Sequence, residues 1–317
     1  MSKKCGYVAL LGCPNAGKST LMNALLESKI AVVSNKPQTT RNKILGICLE
    51  DESQILFLDT PGIHQSAGLP TMNKIMNNVA WSVLRDADFV CYLIDITRGW
   101  TDEDSLWLTA ILQKYNKKAM LIATKCDKLK KEVYKANIDV ITNKFQELIK
   151  GLPQEPNCQF VDVSPRAYSS KKREDVLALR KFLSETLPEG EWLYNSDDLT
   201  DKPQKFICAE FIREQIFRQL GKEIPYKVAV VIDIFEHKPK ITEISATIIV
   251  ERDSYKAIII GKNGSKLKSI GSDARKSLER HLERKVFLEL FVKVQKGWTE
   301  NASMLSEFAN LQDPISD

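Results

Sequence analysis

Residues 12–19 read Gly-Cys-Pro-Asn-Ala-Gly-Lys-Ser, two glycines, a lysine and a hydroxyl at the spacing G-x-x-x-x-G-K-[ST]. That pattern suits the cradling of phosphate. Gly12 and Gly17 let the backbone curl around Cys13, Pro14, Asn15 and Ala16, so that successive N–H groups point at a β-phosphate. Lys18 reaches the β- and γ-oxygens, and the Ser19 hydroxyl binds Mg²⁺. From Ser19 and Thr20 a helix begins, whose N-terminus adds a positive dipole end. Some forty residues on, Asp59-Thr60-Pro61-Gly62 closes an apolar run. A carboxylate at a strand end beside a phosphate loop can hold the Mg²⁺ hydration shell. Gly62 offers an unhindered N–H to the γ-phosphate, and Ile63 follows it. Between the two motifs lies the polar segment Lys36-Pro-Gln-Thr-Thr-Arg41. Its Thr40 could close over the γ-phosphate and complete the Mg²⁺ shell, ordering with triphosphate and loosening after hydrolysis. Thr124-Lys125-Cys126-Asp127 ends a further apolar run, and Asp127 suits the N1–H and exocyclic amine of guanine. Another run ends in Ser164-Pro165.

These residues need strands that end together. Tyr7–Leu11, 52–58, 119–123 and 159–163 read as buried strands, and Ser19–Leu26, Ser105–Tyr115 and Lys131–Lys150 as helices. Alternation from residue 5 to about 187 predicts a mostly parallel sheet covered on both faces, an α/β P-loop domain over 1–187. Residues 188–204 are acidic, rich in turn formers and without either period, a linker with docking contacts from Trp192 and Tyr194.

From residue 205 the pattern changes. A helix over Lys205–Leu220 stops at Gly221. Strands follow over Tyr226–Phe235 and Ile241–Arg252. The sequence Ile-Ile-Gly-Lys-Asn-Gly then precedes helices over Ser265–Gly271 and Asp273–Leu282 and a strand over Val286–Val294. This helix–strand–strand–helix–helix–strand order, with Gly261-Lys-Asn-Gly264 opening the middle pair of helices, resembles a type II KH domain, α+β in class. The resemblance implies that helix ends meet the phosphates of about four single-stranded nucleotides beside an apolar groove. The candidate RNA contacts are Ile260, Gly261, Lys262, Asn263, Gly264, Lys266, Lys268, Ile270, Arg275 and Lys276. Charge agrees: residues 252–296 hold twelve Lys or Arg against five Asp or Glu, a balance of +7 in a chain of +5. The remainder is therefore slightly acidic, and the basic footprint of a polyanion partner is confined to this module. Residues 300–317 fit either a short amphipathic helix or a loose tail.

Taken in order, the five loops of the first half resemble those of translation-factor-type GTPases. Gly-x-Pro-Asn-x-Gly-Lys-Ser-Thr, the Pro-Gln-Thr-Thr-Arg loop and the KH module together resemble the Era family of bacterial ribosome-assembly GTPases, over nearly the whole chain. The resemblance implies GTP/GDP and Mg²⁺ as ligands. It also implies the single-stranded 3′ end of small-subunit ribosomal RNA and the assembling small subunit as partners, with the protein a monomer. Two positions depart from the family pattern. Thr124 stands where Asn is usual, with some loss of bracing between loops. Pro165 stands where an alanine N–H contacts guanine O6, and proline has no N–H. Either Arg166 or Ala167 takes over, or guanine selectivity weakens. At the water-positioning site stands Ile63, which cannot hydrogen-bond. The resemblance therefore implies slow hydrolysis, with Lys18, Asn15, Thr40 and Gly62 as the catalytic set. Asn15 is read either as a turn residue or as a ligand of K⁺ replacing an arginine finger.

Seven scattered cysteines without a C-x-x-C point to a reducing compartment, the cytoplasm. No window approaches a membrane span. Two alternatives keep their place: a KH module carrying a degenerate GTPase half, and a peripheral GTPase at the inner face of the cell membrane. Lipid would need neither the glycine turn nor a base groove.

Overall fold

Four runs of almost unbroken apolar sequence lie side by side, as strands buried on both faces must. In the computed structural model, residues 2–33, 41, 43–60, 70–221 and 224–310 are described, the side chains of 70–74 and 76 excepted. The chain divides into two units: residues 1–30, 43–64 and 77–201, and residues 31–42, 65–76 and 202–317.

The first unit is built on β1 (Lys4–Gly12), β2 (Ile44–Glu50), β3 (Ser53–Asp59), β4 (Phe89–Asp95), β5 (Lys118–Thr124), β6 (Gln159–Phe160) and β7 (Arg166–Ala167). The sheet order is β2-β3-β1-β4-β5-β6, with β7 also on β5. All pairs are parallel save the β2–β3 hairpin. Its helices are α1 (Lys18–Leu25), α2 (Pro70–Asp86), α3 (Asp102–Lys114), α4 (Lys131–Lys150) and α5 (Arg173–Thr186). The C-terminal ends of β1, β3 and β5 carry the phosphate loop, Asp59 and Thr124 to one edge of the sheet, where ligands of such folds bind.

The strand expected over 159–163 is a correction. Only Gln159–Phe160 pairs with β5, and after a break Arg166–Ala167 rejoins it. The Val161 N–H still donates to the Ala119 carbonyl at 2.8 Å; Asp162 and Val163 are then exposed, Ser164 meets Thr142 on α4, and Pro165 has no N–H to give a ladder. The acidic segment after α5 docks on this unit: Gln54 donates to the Tyr194 carbonyl at 2.8 Å, and Trp192 Nε1 donates to the Glu52 carbonyl at 3.3 Å.

The second unit holds α6 (Gln204–Gln219), β8 (Val228–His237), β9 (Thr242–Val250), α7 (Asp253–Ile260), α8 (Ser265–Leu282), β10 (Val286–Val294) and α9 (Ala302–Ala309). Its sheet runs β10-β9-β8, with β10 parallel and β8 antiparallel to β9. Here too the reading needs correction. Residues 253–260 are helical, and 265–282 form one helix, so the glycine turn joins the helix pair instead of preceding it. Gly271 does not break α8: a Cβ there would touch Leu290 Cδ1 at 3.4 Å, so its small size lets β10 approach closely. The helical alternative for the C-terminal segment holds over Ala302–Ala309, while 311–317 lie outside the described residues.

Candidate nucleotide site and nucleic-acid interface

The phosphate loop is a left-handed curl. Gly12 has φ 143°, Asn15 φ 62° and Gly17 φ 100°. A Cβ on Gly12 would lie 2.4 Å from the Leu93 carbonyl oxygen, so the first glycine is required by space as well as by conformation. Lys18 is buried and folds back to donate to the carbonyls of Gly12 at 2.9 Å and Cys13 at 3.1 Å. Burial pushes its ammonium below the ordinary lysine value, partly offset by Asp59, an environment that an incoming polyanion would relieve. Ser19 Oγ donates to Asp59 Oδ2 at 2.6 Å. A hydroxyl and a carboxylate side by side at the mouth of an amide-lined curl suit a hard cation bound with phosphate. Thr60 is fully buried and donates to the Leu10 carbonyl at 3.0 Å, tying the end of β3 to β1. Thr20 lies in the first turn of α1. Thr40, Pro61, Gly62 and Ile63, with residues 36–39, lie outside the described residues, so the catalytic set is represented here by Lys18 and Asn15.

Thr124 keeps the brace that its departure from asparagine put in question. Its hydroxyl donates to the Ala16 carbonyl at 2.6 Å, joining β5 to the phosphate loop. Lys125, itself at φ 60°, donates to the Asn15 carbonyl at 2.6 Å and pairs with Asp95 at 2.6 Å. Burial raises the Asp95 carboxyl, but hydrogen bonds from Lys125 and Thr97 outweigh it and hold it below the usual range. A second brace grips the loop at Cys13. Its thiol donates to Asp104 Oδ1 at 3.2 Å, and Tyr92 donates to the same oxygen at 2.9 Å. The other oxygen, Oδ2, accepts from the Thr101 hydroxyl and N–H, in the capping box of α3. Burial, then Asp104, pushes the Cys13 thiol up to about 12, so it is a structural group and not a nucleophile. Asp95, Tyr92 and Asp104 were missed in the sequence. Asp95 closes an apolar strand just as Asp59 does, which is the signal that could have found it.

Asp127 sits in a short turn after Cys126, its carboxylate accepting from Lys171 at 2.7 Å and Ser169 at 3.2 Å. The Lys171 hydrogen bond, followed by that of Ser169, holds it below the ordinary carboxylate value despite partial burial. Ser164 does not join it. Its hydroxyl accepts from Thr142 on α4 at 3.2 Å, and Pro165 precedes β7. The loop that reaches the Asp127 carboxylate is 168–171, after β7.

In the second unit, Gly261 (φ 71°), Asn263 (φ 51°) and Gly264 (φ 75°) turn the chain between α7 and α8. A Cβ on Gly261 would meet that of Lys266 at 2.6 Å, whereas Gly264 faces open space. No side chain caps α8; the Ser265 N–H already donates to the Lys262 carbonyl, so an anion would meet the later amides of that first turn. Beside the turn runs a groove of about 500 Å³, lined by Gly264, Leu267, Lys268, Arg275 and the β10 residues Phe287 and Leu290, among others. Of the predicted contacts, Gly264, Lys268 and Arg275 line it, and Lys262 and Asn263 lie exposed in the turn. Ile260 is half-buried beside them. Ile270 is a correction: it is fully buried in the core, because it falls on the face of α8 turned to the sheet. Lys266 packs its stem against Gly261, and Lys276 pairs with Asp273 at 3.4 Å, both outside the groove lining.

A phosphate loop and strand-end carboxylates beside it on a mostly parallel sheet define a P-loop GTPase. A glycine turn between paired helices on a three-stranded sheet adds a KH domain. Family models agree, one described as 50S ribosome-binding GTPase over residues 7–125 and one as KH domain over 223–299. The GTPase Era of Ectopseudomonas mendocina is 41% identical over 308 residues, 97% of each chain. That of Pseudomonas aeruginosa is 40% identical over 95% of this chain and 93% of its own. Among solved structures, Aquifex aeolicus Era bound to GDP·AlF4⁻ superposes with TM-score 0.86 and 36% identity, over 96% of this chain and 98% of its own. Era in complex with MgGDPNP and nucleotides 1506–1542 of 16S ribosomal RNA gives 0.85 and 35% over the same shares. The chain belongs to the GTPase Era family.

Proposed function

We propose that this protein is a GTP-hydrolysing switch that holds the single-stranded 3′ end of small-subunit ribosomal RNA while the small subunit is assembled. The observation that carries this reading is the uncapped glycine turn and its groove, in the same chain as a phosphate loop braced at Asn15, Ala16 and Cys13. The relative whose structure holds both MgGDPNP and 16S nucleotides supports it.

The chemistry assigned to the chain is mostly electrostatic positioning. Amides of the curled loop and Lys18 orient the phosphates and take up charge as the terminal bond breaks. Ser19, Asp59 and Thr40 would hold Mg²⁺, which when bound neutralises phosphate oxygens. Asp127 selects guanine, with the 168–171 loop over it. With Ile63 at the water-positioning site, turnover is slow and the bound state lasts. Asn15 is held with its backbone fixed by Lys125 and its side chain is the candidate K⁺ ligand. Residues 31–42 cluster with the second unit, where the Arg41 guanidinium donates to the carbonyls of Tyr226 at 2.7 Å, Val228 at 2.8 Å and Pro225 at 3.2 Å. Thr40 is its neighbour in the chain.

No described helix is long and apolar enough to cross a membrane. A ribosomal RNA partner places the protein in the cytoplasm; attachment to the membrane surface has no observation in its favour. The test is a pair of variants. Lys18→Ala should abolish GTP hydrolysis, and Gly264→Asp should abolish binding of a 3′-end oligonucleotide while GTP hydrolysis continues. RNA binding unchanged in Gly264→Asp would remove the groove from the account.

A further inference from the structure

The KH sheet has two faces of opposite character. On one, every even-numbered residue of β9 from Thr242 to Val250 is fully buried, and Leu290 of β10 lies against α8. The other face is open in part, with Ala229, Ser245 and Ile249 buried on it. Phe287 is 48% exposed, Phe291 55% and Ile234 42%, three large apolar side chains on one pleat. The register sets them together: Phe291 pairs with Thr247 and that with Val231, while Glu289 pairs with Ser245 and that with Ile234. An exposed apolar cluster ringed by polar groups marks an interaction surface.

The ring decides the partner. Asp233, Glu236, Glu243 and Glu289 occupy open-face positions, against Lys293 as the cation among those strand positions. Glu243 is paired with Lys238, and Asp233 accepts from the Thr247 hydroxyl at 2.7 Å. The surface is therefore acidic within a module whose overall balance over 252–296 is +7. Phosphate backbones and anionic headgroups are repelled here, and a second copy docked face to face would set acid against acid.

We propose that this face docks a basic polypeptide. Apolar side chains of the partner cover Phe287, Phe291 and Ile234, and its lysines or arginines meet Asp233, Glu236 and Glu289. Phe287 also lines the RNA groove, so the two surfaces adjoin across the edge strand and polypeptide and RNA can be held together. An apolar centre within a charged rim is the anatomy of a protein interface.

The test uses the full chain with GDP and a fluorescent twelve-residue peptide, (Lys-Val-Lys-Phe) three times over. The comparison peptide has Glu for every Lys. Two double variants avoid the groove: Phe291→Ser with Ile234→Ser, and Asp233→Lys with Glu289→Lys. The basic peptide should bind at least tenfold tighter than the acidic one, and each double variant should lose at least tenfold. Binding of a single-stranded RNA oligonucleotide should stay within twofold, which also shows the variants folded. Equal binding of the two peptides, or wild-type affinity in both variants, would overturn the proposal. Loss of RNA affinity in the serine variant would assign the face to RNA instead. A wild-type dimer in sedimentation that dissociates in that variant would assign it to a second copy.

Discussion

Thr124 does with one hydroxyl what a longer amide does elsewhere in such loops: it ties the base-reading strand to the phosphate loop through the Ala16 carbonyl. Thr124→Val should leave that carbonyl unpaired, costing about 1 kcal/mol and so weakening GDP roughly fivefold in a fluorescent-nucleotide titration. An unchanged affinity would make the brace incidental. Asp104 carries more, accepting from Cys13, Tyr92 and Thr101, and buried. Asp104→Ala strands those donors and should lower urea stability by about 3 kcal/mol. Asp95 yields a pH test with a defined sign. Its folded value lies below the ordinary one, so its contribution is complete above that ordinary value and fades as pH falls through the folded one. The stability gap between wild type and Asp95→Asn should therefore be open at pH 7 and close below about pH 4. A gap that widens in acid would contradict the pairing with Lys125.

Among elements, the run most easily misread was 159–167. Gln159 to Val163 has strand composition, yet the chain leaves the sheet after Val161 and rejoins it at Arg166, directly after Pro165, as β7. Composition shows the apolar content, but not the break in pairing. The loop that reaches Asp127 is then 168–171, and Pro165→Ala should leave the preference for GDP over ADP within about twofold. β1, β3 and β5 were legible because buried parallel strands are apolar throughout, while the central β4, equally apolar, was passed over. β2 was not, being a hairpin arm that only tertiary pairing reveals. Likewise Gly271 looked like a helix stop, although α8 runs through it from Ser265 to Leu282. The phosphate loop, Asp59 and the glycine turn were legible as spacings. Lys171 and Ser169 were not, since they reach Asp127 from over forty residues away. At the glycine turn the two positions should separate. Gly261→Ala strains a site that is both crowded and left-handed and should destabilise the KH unit strongly, whereas Gly264→Asp meets open space, bears only the left-handed strain, and should abolish RNA binding with a smaller fall in melting.

At the scale of the molecule, the claim is that nucleotide and RNA occupancy are linked. Arg41 is the described residue through which that link would run: it lies next in the chain to Thr40 and is buried against the carbonyls of Pro225, Tyr226 and Val228. Burial, then the neighbouring Arg213, pushes its guanidinium down to about 9, yet it stays charged at neutral pH. Arg41→Ala should keep the RNA affinity of the GDP form and lose most of the change on triphosphate binding. The most direct measurement of the central claim is binding of a single-stranded oligonucleotide of the ribosomal 3′ end to the purified protein with GDP, a non-hydrolysable GTP analogue or its adenine counterpart. The account predicts tight binding with the guanine triphosphate analogue, and weak binding with GDP and with the adenine analogue. Affinity indifferent to the nucleotide would contradict a coupled switch, and an equal response to the adenine analogue would contradict guanine selection by Asp127.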